Sequence, residues 1–162
     1  MTAAEHVLRY LRGNPVLPIV YRRGQFRLAA VTNSSVGANP NNGRSTTGYL
    51  FFLAGGLISY GAKTQTLTAQ STVEAEIQAL SSSASEAVFI SIFMTELNFK
   101  TFGSVPINSD STGALTVAGN TMHSQRTKHV ALSEHHLADI ATKHLPKHRF
   151  ASIIQQIKDF SC

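Results

Sequence analysis

Gln70-Ser71-Thr72-Val73-Glu74-Ala75-Glu76-Ile77-Gln78-Ala79-Leu80 decides the fold, because here a strand-rich half of the chain gives way to a long helix. Ser71 or Thr72 is a suitable N-cap, with a Glu in the first turn behind it. Glu76 shares a helix face with Thr72 and Leu80, four residues to either side. Ile77 and Leu80 point to a core. Glu76 borders that apolar stripe, between Ala75 and Ile77. Both Glu residues suit the positive end of a helix dipole. A carboxylate at the margin of a core is also what a functional acid looks like.

Upstream of this stretch the chain alternates. Thr46 to Leu53 makes an aromatic strand, Ala54-Gly55-Gly56 turns, and Leu57 to Tyr60 returns. Phe26 to Val31 is strand-like, and Asn33 lies along or at the end of that strand. The first half therefore predicts three antiparallel strands, with a polar loop from Gly37 to Arg44. Before them, Ala3 to Arg12 predicts an amphipathic helix, with Val7, Leu8 and Leu11 as its stripe. Downstream, helix is expected from Thr72 to about Leu97, with Ser81-Ser82-Ser83 as a weak spot that divides it. Val88, Phe89, Ile92, Phe93 and Leu97 are expected to face the core. Val105 to Asn108 predicts a strand that ends at Asp110, and Thr112 to Ala118 a helix. Leu132 to Leu145 and Phe150 to Phe160 predict two more helices, separated by Pro146. The class is α/β, with a mixed sheet flanked by helices.

Composition narrows the function. The 162 residues suit one domain with a real core. Only nine residues are Asp or Glu, against fourteen Lys and Arg, so each carboxylate carries more information than usual. The net charge of +5 suits a nucleic-acid partner. The single cysteine, Cys162, excludes a disulfide framework and a thiolate metal cluster within one chain. It points to an intracellular setting, cytoplasmic or nuclear. No signal peptide and no apolar run long enough to span a bilayer is read, so no membrane partner is expected. The chain opens on helix-like sequence, as if cut from a longer polypeptide.

The acids that can meet are few. Asp110 follows a strand end, where ligands bind in open α/β sheets. Glu76 lies in the first turns of the long helix, and Asp139 on a late one. Carboxylates that converge repel one another unless they hold cations. Hard oxygen ligands without Cys suit Mg²⁺ or Mn²⁺. Two such ions roughly 4 Å apart form a general device for phosphodiester cleavage. Taken singly, Asp110 as a helix cap and Asp139 as a solvated side chain are equally simple readings.

Read together, six segments in order resemble the ribonuclease H domain of Copia-type LTR retrotransposon polyproteins. Val7-Leu8-Arg9-Tyr10-Leu11-Arg12-Gly13 is similar to the family's helix leading out of the reverse transcriptase. Arg44-Ser45-Thr46-Thr47-Gly48-Tyr49-Leu50-Phe51-Phe52 and Gly55-Gly56-Leu57-Ile58-Ser59-Tyr60 follow its hairpin. Gln70 to Leu80 is similar to its Ser-Ser-Thr-Glu-Ala-Glu-Tyr. Asn108-Ser109-Asp110-Ser111 is similar to the segment with its strand-end Asp. Arg126-Thr127-Lys128-His129-Val130 and Leu137-Ala138-Asp139-Ile140-Ala141-Thr142-Lys143-His144-Leu145-Pro146 complete the series.

The resemblance implies a ribonuclease H-like mixed sheet flanked by helices. It implies hydrolysis of the RNA strand of RNA:DNA hybrids during reverse transcription, with two Mg²⁺ or Mn²⁺ ions. Glu76, Asp110 and Asp139 fall on metal-ligand positions of the family. The remaining ligand, a first-strand Asp, falls on Asn33. Ser35, Asn39 and Asn42 also stand where acids are common. An amide cannot offer two anionic oxygens to two cations, so catalysis in this copy is expected to be impaired or lost. A non-catalytic nucleic-acid-binding module, or a repurposed protein-interaction domain, is the alternative. Arg44, Arg126, Lys128 and Lys143 are the candidate phosphate contacts. His135 or His136 is a candidate histidine near the scissile phosphate. Between Val130 and Leu137 the chain is shorter than the family by roughly a helix and a strand. The fifth strand is therefore expected to be missing. The implied organisation is a helix and linker from the reverse transcriptase side over 1–24, a ribonuclease H-like domain over 25–146, and a C-terminal helix over 147–162.

Overall fold

The hairpin is settled by its turn. Strand β2, Thr46–Leu53, and strand β3, Gly56–Thr64, are joined by Ala54 and Gly55, both at positive φ (52° and 79°). Two successive left-handed residues give a reverse turn whose twist matches the paired strands. Gly55 adopts that conformation without a steric cost, whereas Ala54 does so at about 1–2 kcal/mol. The strands pair from Leu53 opposite Gly56 to Thr46 opposite Thr64, with one register shift between Phe51 and Phe52. Tyr49 faces Gly61 across this pair, and its ring lies over the glycine. A Cβ at Gly61 would stand 2.6 Å from the Tyr49 Cε1 atom, so a larger residue there would displace the ring.

The computed structural model of the chain describes residues 3–13, 18–23, 26–99, 103–121 and 130–134. Helix α1 covers Ala3–Gly13, with Val7, Leu8 and Leu11 exposed. Strand β1, Ala29–Ser35, pairs antiparallel with β2 on one side and parallel with β4, Val105–Ser109, on the other. Helix α3 spans Thr112–Thr121, and strand β5, Val130–Glu134, runs parallel to β4. The sheet order is β3-β2-β1-β4-β5. This is the mixed α/β sheet with flanking helices that the sequence predicts, and its first three strands form the expected antiparallel set.

One expectation about this sheet fails. The fifth strand, expected to be missing, is present as Val130–Glu134. A parallel partner needs only the five rungs from Val105–Val130 to Ser109–Glu134, and the segment containing α3 supplies the crossover. Leu132 to Glu134 therefore belong to a strand, not to the start of a helix. The rest of that expected helix, and the one over Phe150–Phe160, lie outside the described residues.

Helix α2, Thr72–Glu96, is continuous. The serine run does not divide it, and the hydroxyls of Ser82, Ser83 and Ser85 turn back to donate to the carbonyls of Gln78, Ala79 and Ser81 at 2.9, 2.9 and 3.0 Å. Its buried face is also not the expected one. Ala75, Ala79, Leu80, Ser83, Ala87, Ile90 and Met94 are buried, while Phe89, Ile92, Phe93 and Leu97 are at least half exposed. Small residues let the helix lie close to the sheet, where Leu28, Ala30, Phe51, Leu53, Val105 and Ile107 fill the core. By length and composition α2 is also apolar enough to cross a membrane, contrary to the expectation that no such run exists. In this fold it is the helix packed on the sheet, with contacts to β1, β2 and β4.

Two measurements follow from the hairpin. Ala54→Asn should stabilise the protein by roughly 0.5–1 kcal/mol, since Asn tolerates the left-handed region. A denaturation midpoint that fails to rise, at unchanged slope, would contradict this. The Tyr49 phenol is held above its ordinary value, first by burial and then by the nearby charge of Glu86. The folded state thus favours the protonated phenol. Stability from this group is fully present below about pH 10 and is lost as pH rises through the raised pKa. Replacing Tyr49 by Phe should flatten that alkaline loss.

Candidate active site

Glu76 reaches the sheet through a buried hydrogen bond. The Ser34 backbone N–H donates to Glu76 Oε1 at 3.0 Å, and Glu76 is 8% exposed. The helix start that delivers this carboxylate is capped by its neighbours. Ser71 is the N-cap, its hydroxyl accepts from the Glu74 N–H at 3.1 Å, and the Glu74 carboxylate accepts from the Gln70 N–H at 2.7 Å. This reciprocal arrangement is a variant of the capping box. The two Glu residues therefore divide their work. Glu74 fixes the helix end, and Glu76 binds the strand.

The residue before Ser34 is Asn33, which is 1% exposed and lies opposite Gly48 on β2. On the other side, β1 and β4 run parallel, with Val31 beside Asn108. The pairing stops there, and β4 ends at Ser109, with Asp110 just beyond it. Glu76 thus meets β1 next to Asn33, and Asp110 follows the end of the neighbouring strand β4. Ser111 caps α3, accepting from the Ala114 N–H through its hydroxyl at 3.2 Å and from the Leu115 N–H through its carbonyl at 3.0 Å. Asp139, Arg126, Lys128, Lys143, His135 and His136 lie outside the described residues. Arg44 is exposed at the end of the loop between β1 and β2.

That loop is held by amides. Asn39 Oδ1 accepts from the Asn41 N–H, and Asn42 Oδ1 from the Arg44 N–H, each at 3.0 Å. The backbone N–H of Asn39 donates to the Arg44 carbonyl at 3.0 Å. These are Asx turns, which need a side-chain acceptor but no negative charge.

Gln65 is a residue that sequence reading missed. It is 6% exposed, and its Nε2 donates to Thr47 Oγ1 at 3.0 Å and to the Ala75 carbonyl at 2.9 Å. Its backbone N–H donates to the Ser45 carbonyl at 2.8 Å. Thr47 pairs with Ser34 across the β1–β2 ladder, and Ala75 precedes Glu76. Gln65 therefore ties the rung beside Ser34 to the turn that carries Glu76. In Lys63-Thr64-Gln65-Thr66 nothing in periodicity or charge marks it. Its Oε1 and the Ser34 hydroxyl are buried without a protein hydrogen-bond partner.

The donors assembled here are hard oxygens, which suit Mg²⁺ or Mn²⁺. They comprise two carboxylates and one neutral amide. Among the described residues, no group of three or more His, Cys, Asp or Glu is placed to hold a metal ion. The set fits one divalent cation in donor type.

No protein-family model matches the chain. It is 30% identical over 168 aligned positions to the retrovirus-related Pol polyprotein from transposon TNT 1-94 of Nicotiana tabacum, covering 91% of this chain and 13% of that protein. It is 31% identical over 134 positions to the Pol polyprotein from transposon RE2 of Arabidopsis thaliana, covering 82% of this chain and 9% of that one. A secreted RxLR effector protein of Plasmopara viticola is 35% identical over 91 positions, covering 56% and 64% of the two chains. Among solved structures, LC11-RNase H1 from compost aligns over 80% of this chain and 91% of its own, at a TM-score of 0.46 and 13% identity. The chain thus spans a small fraction of the length of the Pol polyproteins it matches.

Gln65→Leu should destabilise the protein by about 1–3 kcal/mol, the range for losing buried hydrogen bonds. Urea denaturation checks this, and a variant as stable as the parent would remove Gln65 from its positioning role.

Proposed function

Since the chain belongs to the Pol polyproteins of Copia-type retrotransposons, we propose that its ribonuclease H-like sheet acts on the RNA strand of RNA:DNA hybrids. The observation that carries this reading is the meeting of Glu76 with β1 at Ser34, beside Asn33. Glu76 and Asp110 are the residues that would hold a divalent cation, with the Asn33 carbonyl oxygen as a third donor. A bound ion would supply Lewis-acid activation of water and charge stabilisation at the leaving oxygen.

The chain's own residues do the rest. Ser34 and the capped start of α2 orient Glu76. Gln65 keeps β2 and α2 in register around it. Exposed Arg44 offers a phosphate contact on the loop after β1, and the net charge of +5 favours a polyanion. The reverse transcriptase part of the same polyprotein is the proposed neighbour on the N-terminal side, where residues 1–24 form the connection. Asp139 is proposed as the last acidic ligand on the C-terminal side.

Asn33 sets the level of activity. A buried neutral amide where two cations need a shared anion lowers the affinity for the second ion. The proposal is therefore a domain that binds hybrid and cleaves it weakly. A second reading, hybrid binding without any cleavage, rests on that same amide.

Asn33→Asp should raise Mn²⁺-dependent cleavage of a labelled hybrid by roughly two to three orders of magnitude, the range for restoring one charge-stabilising group. Glu76→Gln in the Asn33→Asp background should abolish the gain. Hybrid binding without divalent ions is measured beside it. Binding without cleavage in both proteins favours the second reading, and no binding at all sinks both.

A further inference from the structure

Over its C-terminal half, helix α2 is apolar on two sides. One side, with Ala87, Ile90 and Met94, is buried in the core. The other carries Phe89, Ile92, Phe93 and Leu97, which are 63%, 55%, 50% and 50% exposed. Their spacing of three and four residues sets them along one face. The rings of Phe89 and Phe93 stack at 6.3 Å with 11° between their planes, so they present one flat surface. The way the helix stops fixes the far end of this patch. Asn98 takes a positive φ of 60°, and the Phe99 N–H returns to the Met94 carbonyl at 3.0 Å. This is a Schellman turn, which holds the half-exposed Phe99 beside the helix end.

A contiguous exposed apolar patch marks a docking surface. Five half-exposed side chains of this size leave roughly 500 Å² open on each chain. Two copies face to face would cover roughly 1,000 Å², about what a specific interface needs. The charges select the same partner. From Ala87 to Glu96 the one charged residue is Glu96. Such a face gives a charged partner nothing to pair with, and it matches a surface as flat and uncharged as itself. An antiparallel copy supplies that surface. With a two-fold axis beside Ile92 and Phe93, the helix dipoles oppose, and the two Glu96 carboxylates fall roughly 10 Å apart along the axes. A parallel pair would set both Glu96 residues and both negative helix ends side by side.

We propose that this face of α2 is a homodimer surface, in which the α2 helices of two copies pack antiparallel about Ile92 and Phe93. The two Glu76 carboxylates then lie roughly 50 Å apart along the helix axes, one at each outer end of the pair.

Sedimentation equilibrium of the full chain under reducing conditions tests this. The mass should rise from one chain to two as concentration increases. Phe93→Glu should weaken the association by roughly tenfold or more, with unchanged amide signals from β1 and β2 reporting an intact fold. If Phe93→Glu disturbs those signals, Phe89→Ser takes its place with the same expected loss. Tyr60→Glu, on the exposed edge strand β3, should leave the association as it is. The direction is read by cross-linking in a Cys162→Ser background, which removes the chain's one cysteine. Ile92→Cys should form a disulfide between two copies on mild oxidation. Glu96→Cys should not, since a disulfide needs Cα atoms within about 7 Å of each other. A one-chain mass at every concentration would overturn the proposal and leave the face to another occupant. So would a dimer indifferent to the outer-face substitutions, or cross-linking at Glu96→Cys that matches Ile92→Cys.

Discussion

The 3.0 Å hydrogen bond from the Ser34 N–H to Glu76 joins the two halves of this domain. It lets a central strand receive a helix carboxylate where the recorded pairing with β4 has already stopped, at Val31 and Asn108. A buried carboxylate needs such a donor, because stripping water from a charge is costly unless hydrogen bonds replace it. The same bond holds a strand N–H that would otherwise be an unmet donor. Much else near the site exists to keep these two atoms in place. Ser71 and Glu74 fix where α2 begins, and Gln65 fixes how far α2 stands from β2.

Much of this was legible in the chain. The hairpin could be read because aromatic alternation and Ala54-Gly55-Gly56 are local signals with a local cause. The start of α2 could be read for the same reason, since a cap needs only Ser71 and the residues just after it. Asn33, Glu76 and Asp110 were found as a set only through family resemblance. Spacing alone does not say that a strand residue and a helix residue will meet.

What could not be read depended on tertiary packing. The outward turn of Phe89, Ile92 and Phe93 was missed because α2 has apolar residues on both sides, and helical periodicity cannot rank two such faces. The sheet chose the side with Ala79, Ser83 and Ala87, where close approach outweighs side-chain size. Strand β5 was missed because a five-residue edge strand is defined by its neighbour more than by its own sequence. Gln65 was invisible because a buried glutamine and a surface glutamine look alike in sequence. Its role comes from Thr47 and Ala75, which are distant in the chain.

The loop between β1 and β2 has a consequence for which substitutions it tolerates. Its turns are closed by the side-chain oxygens of Asn39 and Asn42, and an amide closes an Asx turn as well as a carboxylate does. In the strand before it, an amide at Asn33 also puts less negative charge near Glu76 than a carboxylate would. An amide in place of an acid at the two loop positions therefore leaves the turns intact. The bonds that shape this loop thus ask for an acceptor oxygen at Asn39 and Asn42 and are indifferent to its charge.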